Sequence, residues 1–208
     1  MSDRSIPPIF HRIWLGGTEP ERHWRWQESW RRLHPDWELV TWTDETLPPL
    51  RNQALFDRAT VPAQRADLAR YELLHRFGGV YLDVDMEALA PLDDLLDGVT
   101  FFCASEDEVW LSIGIMGCAP GDPVMDAVVR GLPSWLPARP GEPVNVQSGP
   151  QYFTRVVNRL RSGPTPLPVT VFPSSLFYPY HFSEPERAAG PFPGAYAVHH
   201  WNHSWKDR

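Results

Sequence analysis

Several protein classes are excluded by what this chain has little of. It carries only two cysteines, Cys103 and Cys118, both inside apolar runs. A disulfide framework is therefore not expected, and the pair reads as buried thiols in a reducing compartment. No run of about 18 apolar residues occurs, so no membrane-spanning helix is expected. The first residues, Met1 to Pro8, lack the apolar core of a secretory signal, and with the cysteine usage this points to the cytoplasm. Basic residues are outnumbered by acidic ones, 19 to 26, for a net charge of −7. That balance argues against general nucleic-acid binding. It leaves room for an anionic ligand held by a metal ion and a local arginine. There is no internal repeat and no break in composition, so 1–208 is expected as one domain with a substantial core.

What the chain does contain is ordinary for a globular protein, 42% apolar and 22% charged residues, with two excesses. Ten tryptophans offer stacking surfaces, most of them expected in the core, and 23 prolines punctuate the chain. Taken in order, residues 9–15 read as an apolar strand, 19–33 as a helix with Trp26 and Trp30 on one stripe, and 37–43 as a second strand. A helix over 62–77 and a strand over 80–86 follow. Further strands are expected at 99–104, 111–118, 169–172 and 196–200, and further helices at 123–130 and 151–161. Residues 131–147 read as a loop. Strands alternating with helices predict an α/β fold.

The most informative stretch runs from Pro62 to Glu87. Pro62 suits a first helical turn, Ala66, Ala69, Leu73 and Phe77 give a buried stripe, and Gly78-Gly79 stops the helix. In the strand that follows, Val80, Leu82 and Val84 face one way and Tyr81, Asp83 and Asp85 the other. Two carboxylates at i and i+2 of an extended strand lie about 7 Å apart. A divalent cation with oxygen ligands fits between them. Asp67 and Arg70, one helical turn apart, share a face. They are either a surface ion pair or groups aimed past the strand end towards the carboxylates.

The run ADLARYELLHRFGGVYLDVD, residues 66–85, resembles the signature of the DXD-containing sugar transferases of glycosyltransferase family 32 and, more distantly, the clostridial glucosylating toxins. The opening PPIFHRIWLGG (residues 7–17), the segment beginning PDWE (35–38) and the closing HHW and SW pairs (199–205) are similar to family segments too. The resemblance implies a GT-A-like, Rossmann-type nucleotide-sugar-binding domain with a mixed central sheet flanked by helices. It also implies a metal-dependent transfer of a hexose to an acceptor hydroxyl, with retention of configuration. The donor is expected to be a UDP-sugar rather than GDP-mannose. The acceptor, whether a small molecule, a polysaccharide or a peptide, carries no pattern in the chain.

Residue by residue, the resemblance places Mn2+ or Mg2+ on Asp83 and Asp85. A C-terminal ligand completes the site, with His200 expected first, His199 next, and Asn202 as a further ligand. Asp67 and Arg70 would hold sugar hydroxyls and a phosphate. His11, Trp14 and Tyr81 would border the nucleotide, and Ser204 and Trp205 the phosphates. An asparagine usual near the start of the 111–118 strand is missing, and Ser112 is the residue that could substitute. A binding module that kept the pocket without catalysis, or more remotely a metal-dependent phosphohydrolase, is the competing reading.

Overall fold

The computed structural model describes residues 5–107 and 109–202. Strand β1 (Ile9–Ile13) leads into helix α1 (Trp24–Leu33), strand β2 (Glu38–Trp42), the short helix α2 (Gln53–Arg58) and the long helix α3 (Pro62–Phe77). Strands β3 (Gly79–Leu82), β4 (Met86–Ala88), β5 (Phe101–Ser105) and β6 (Leu111–Cys118) follow. The second half adds helices α4 (Pro123–Trp135), α5 (Val144–Gln147) and α6 (Pro150–Arg161), then strands β7 (Thr170–Phe172) and β8 (Ala197–His199). Six strands form a mixed sheet in the order β2-β1-β3-β6-β5-β7, and β4 pairs with β8 in a separate two-stranded ribbon. Strands β2, β1 and β3 are parallel, while β6 runs antiparallel between β3 and β5. No helix among the described residues is long and apolar enough to cross a membrane.

The alternation expected for β3 decides where the two cores lie. Tyr81 packs with Leu73, Leu74, Met116 and the α4 residues Val124 and Val128 on one side of the sheet. Val80 and Leu82 pack with Phe10, Trp30, Met86 and Ala197 on the other. Helices α3, α4 and α6 thus cover one face, and α1 with the β4–β8 ribbon covers the other. Both cysteines are free and buried, and burial pushes the Cys103 thiol up to about 12.

Helix α3 ends on Gly78 and Gly79, both at positive φ (66° and 87°). A Cβ on Gly78 would stand 2.7 Å from Pro120, and one on Gly79 would stand 2.6 Å from the Ile9 carbonyl. Only glycine meets both the backbone and the packing demands there.

Two expectations change. Residues 131–147 are not one loop. Helix α4 continues through Pro133 to Trp135, and α5 follows. Pro133 lacks the N–H that would bond the Val129 carbonyl, and the Asn52 side-chain amide donates to that carbonyl instead (3.0 Å). The strand over 80–86 also breaks. It stops at Leu82, turns through Asp83–Asp85 with Met86 N–H donating to the Asp83 carbonyl (3.0 Å), and resumes as β4 in the other sheet. Backbone bonds to both sheets force this. Asp83 N–H still donates to Gly114 of β6 (2.8 Å), whereas the Asp85 carbonyl already accepts from His200 N–H beside β8 (3.0 Å).

Candidate metal centre

Asp83 stands where β3 leaves the main sheet, and three groups fix it. Tyr81 Oη donates to Asp83 Oδ1 (2.8 Å), and Arg70 Nη1 donates to the same oxygen (3.0 Å) and to the Ile113 carbonyl (2.9 Å). The Arg70 guanidinium lies 4.3 Å from the centre of the Tyr81 ring. Its other nitrogen, Nη2, is 3.3 Å from Asp67 Oδ1, and Asp67 Oδ2 accepts from Ser148 Oγ (2.8 Å). Asp67, Arg70 and Tyr81 are therefore buried beneath Asp83, not spread on a surface. Burial pushes the Asp67 carboxyl up to about 6, against the pull of Arg70 and Ser148. Burial also opposes the Arg70 charge, but Tyr81, Asp83 and Asp67 around it hold the guanidinium firmly charged.

The turn brings Asp85 back beside Asp83. Asn202 N–H donates to Asp85 Oδ2 (2.7 Å), and His199 Nε2 lies 3.1 Å from Asp85 Oδ1 and 3.6 Å from Asp83 Oδ2. One ligand atom from each of Asp83, Asp85 and His199 falls within 4.8 Å of the others. Burial alone would raise both carboxyls and lower the imidazole. The Arg70 charge and then His199 overcome this for Asp83, and His199 does so for Asp85, so both carboxyls lie below their ordinary values while the two carboxylates hold His199 well above its own. Two carboxylates and one imidazole converging on one point suit a hard divalent cation, with the nitrogen favouring Mn2+ over Mg2+.

Several expected site residues stand elsewhere. His200 does not face the carboxylates. Successive strand residues point to opposite faces, so with His199 turned inward His200 turns outward. Its Nε2 meets Glu87 Oε2 at 2.7 Å, and its ring stacks on Trp26 (4.7 Å, 16°). A cavity of about 720 Å3 on that outer face is lined by Glu87, Val198 and His200, with none of the three converging groups. Asn202 contributes its backbone amide to Asp85, while its side chain meets His23 Nε2 (2.9 Å), so it is not placed as a ligand.

His11 is buried within the sheet, with Nε2 against the Gly78 carbonyl (2.9 Å) and Nδ1 accepting from Trp42 Nε1 (3.1 Å). Burial pushes its pKa down to about 4. Trp14 is buried too, donating to the Gly17 carbonyl (2.9 Å) and meeting His23 edge-on. Both side chains are buried, and the Tyr81 hydroxyl is spent on Asp83. Ser112 is engaged with Tyr178 (2.5 Å). Ser204 and Trp205 lie outside the described residues.

Sequence reasoning passed over three contributors. Ser148, at a helix start where it could either cap the helix or border the acceptor or sugar, instead fastens Asp67. His23 sits in a tryptophan-rich helix start yet anchors Asn202, with Glu19 Oε1 3.5 Å from its other nitrogen and Arg12 paired to Glu19. Gly114 leaves the room that the Asp83 carboxylate fills. Only the departure of the 111–114 segment from the family pattern hinted that this stretch is special.

Comparison with known proteins gives this geometry a context. Residues 20–102 match the family model described as "Glycosyltransferase sugar-binding region containing DXD motif". Inositol phosphoceramide mannosyltransferase 3 of Schizosaccharomyces pombe is 36% identical over 137 residues, which is 62% of this chain and 38% of that protein. Inositol phosphoceramide mannosyltransferase 1 of the same yeast is 32% identical over 136 residues, 61% of this chain and 43% of that protein. The matched stretch thus spans less than half the length of either relative. Among solved structures, the PaToxG glycosyltransferase superposes with a TM-score of 0.59 at 16% identity, covering 74% of this chain and 69% of that one. The UDP-bound glycosyltransferase domain of the YGT toxin gives 0.58 at 11% identity, covering 88% and 82%. The fold is that of GT-A glycosyltransferase domains, and over residues 20–102 the chain is similar to the DXD-motif sugar transferases.

Proposed function

We propose that this protein, similar over residues 20–102 to the DXD-motif sugar transferases, moves a hexose from a nucleoside-diphosphate sugar to an acceptor hydroxyl, with a divalent ion held by Asp83, Asp85 and His199. The observation that carries the reading is the convergence of those three ligand atoms within 4.8 Å at the end of β3, inside the matched family region. When bound, the ion supplies a Lewis acid that stabilises the leaving diphosphate.

The protein's own groups prepare that place. Arg70 and Tyr81 together fix one oxygen of Asp83, which leaves the other turned towards His199. The Asn202 amide fixes one oxygen of Asp85 and leaves the other for the shared point. Each carboxylate therefore presents one committed and one available oxygen, a preorganised arrangement that costs little to adopt on binding. Arg70 spends its donors on Asp83, Asp67 and two carbonyls, and so acts as a positioning residue beneath the donor.

The donor is where the reading moves from the expectation. Both relatives are named mannosyltransferases, which favours a mannosyl donor over the UDP-sugar that the resemblance suggested. Retention of configuration stays part of the proposal through the resemblance alone.

The test is nucleoside-diphosphate release from GDP-mannose, UDP-glucose and UDP-galactose, with and without Mn2+. Metal-dependent release from one donor, lost in Asp85→Asn, supports transfer chemistry. Binding of a donor without any release would identify a binding module, and no binding of any donor would remove the proposal.

A further inference from the structure

The segment Ala197–Trp201 presents two things at once. On one side His199 Nε2 faces the carboxylates. On the other, the His199 ring meets Trp201 edge-on (4.3 Å between centres, 87°). Trp201 in turn meets Phe182 (5.7 Å, 69°) and His181 (6.0 Å, 63°). A series of ring contacts thus runs from His199 through Trp201 to Phe182, which also meets the His181 ring (3.9 Å) and is 51% exposed.

This aromatic surface is held in place. Trp201 adopts φ of 50°, a left-handed conformation that a large L-residue rarely takes. Its indole N–H donates to the Tyr180 carbonyl (3.1 Å), and its ring leans on Tyr178 (5.7 Å). The next residue, Asn202, is fastened to Asp85 and to His23. Strain kept by several independent contacts marks a conformation that the surroundings over-determine.

The rim is polar and nearly neutral. His181 Nδ1 meets Ser183 Oγ (2.7 Å), and Arg187 is committed to Glu184 and to the Pro179 carbonyl. A phosphate-bearing ligand finds no available arginine among these residues. A pyranose ring fits, because it offers an apolar face of C–H groups for the rings and hydroxyls for the rim. It would lie outward of His199, on the side of that ring turned to Trp201 and away from the carboxylates.

We propose that Trp201 and Phe182 form an acceptor subsite that stacks a pyranose ring of the acceptor one ring outward from the metal centre. The inference rests on the transferase reading above and names the acceptor class for it. Saturation-transfer NMR would be run on the full chain with Mn2+ and GDP or UDP, using methyl α-mannopyranoside, methyl β-glucopyranoside and methyl β-galactopyranoside as probes. The expected result is binding of at least one glycoside, weakened about fivefold or more in Phe182→Ala and restored in Phe182→Trp, consistent with the worth of one aromatic stacking contact. If no glycoside binds, or if Phe182→Ala binds as well as the wild type, the subsite is refuted. Binding of dodecylmaltoside micelles through their alkyl chains, with no glycoside signal, refutes it as well and makes the patch a lipid contact. Donor hydrolysis by the wild type separates the two readings. Glycoside binding without hydrolysis leaves the pyranose subsite standing and sinks the transferase, whereas hydrolysis without glycoside binding does the reverse.

Discussion

A Cβ on Gly114 would stand 2.8 Å from Asp83 Oδ2 and 2.8 Å from the Tyr178 hydroxyl. The same glycine accepts a backbone hydrogen bond from Asp83 N–H (2.8 Å). Strand β6 thus grips the first aspartate by its backbone and makes space for its carboxylate. Gly114→Ala drives a methyl group into that carboxylate, and Tyr178 blocks retreat to the other side. The expected outcome is a Mn2+ affinity lowered by about 10- to 100-fold, the usual effect of disturbing what orients a metal ligand, with the far-ultraviolet circular dichroism of the wild type. Isothermal calorimetry checks it, and an unchanged affinity would mean that Asp83 tolerates displacement.

The two adjacent histidines give a sharper contrast. His199 faces both carboxylates and His200 faces Glu87. His199→Ala removes a ligand and is expected to lower Mn2+ affinity by at least about tenfold, while His200→Ala leaves it within about twofold. Calorimetric titration of both variants decides between them. The reverse ranking would restore His200 as the ligand and require β8 to shift by one residue, which would flip every side chain on it.

That choice explains why the site was only partly legible in the sequence. Helix α3 runs from Pro62 to Phe77 as expected, because a proline start and a two-glycine stop are local signals. Strand β6 likewise spans Leu111–Cys118 as its apolar run suggests. Nothing local marks Asp83–Asp85 as a turn. The break comes from Gly114 on one side and from His200 and Asn202, more than a hundred residues away, on the other. Choosing His199 over His200 needs the register of β8 on β4, where Met86 opposes His199. Ala197 and Val198 are both apolar, so periodicity cannot say which histidine turns inward. His11 and Trp14 mislead for a different reason. They lie in a strand similar to the family's opening one, but their polar atoms are consumed by Gly78, Trp42 and Gly17.

Arg70 is buried with two carboxylates and two carbonyl contacts, so its loss reaches beyond the donor. Arg70→Ala leaves Asp67 buried without its counter-charge and Asp83 with His199 alone. Removing one partner from such a buried group typically costs about 3–5 kcal/mol. The expected outcome is a large fall in the urea midpoint together with lost activity. Arg70→Lys is expected to recover little, because an ammonium cannot span both carboxylates as the planar fork does. Urea titration of the two variants tests this. A stability equal to that of the wild type would return Arg70 to the role of a direct donor ligand.

His11 sets an acid limit on stability. Its Nε2 bonds the Gly78 carbonyl, so in the neutral ring Nε2 carries the hydrogen and Nδ1 accepts from the Trp42 indole. Protonation would point a second N–H at an N–H donor, inside a buried site. Burial is the main cause of the shift from 6.5 down to about 4, with the Gly78 carbonyl pulling weakly the other way. The folded pKa lies below the unfolded one, so between these two values the unfolded chain binds more protons. The contribution is therefore fully present above pH 6.5 and is lost as pH falls towards 4. The gap corresponds to roughly 3 kcal/mol. His11→Gln, whose amide can still donate to Gly78 but does not titrate, is expected to be less stable at pH 7 yet to lose less on acidification. Urea unfolding at pH 7, 6, 5 and 4 compares the two slopes. Parallel slopes would show that His11 takes up its proton in the folded state without cost, and would place the acid sensitivity on other groups.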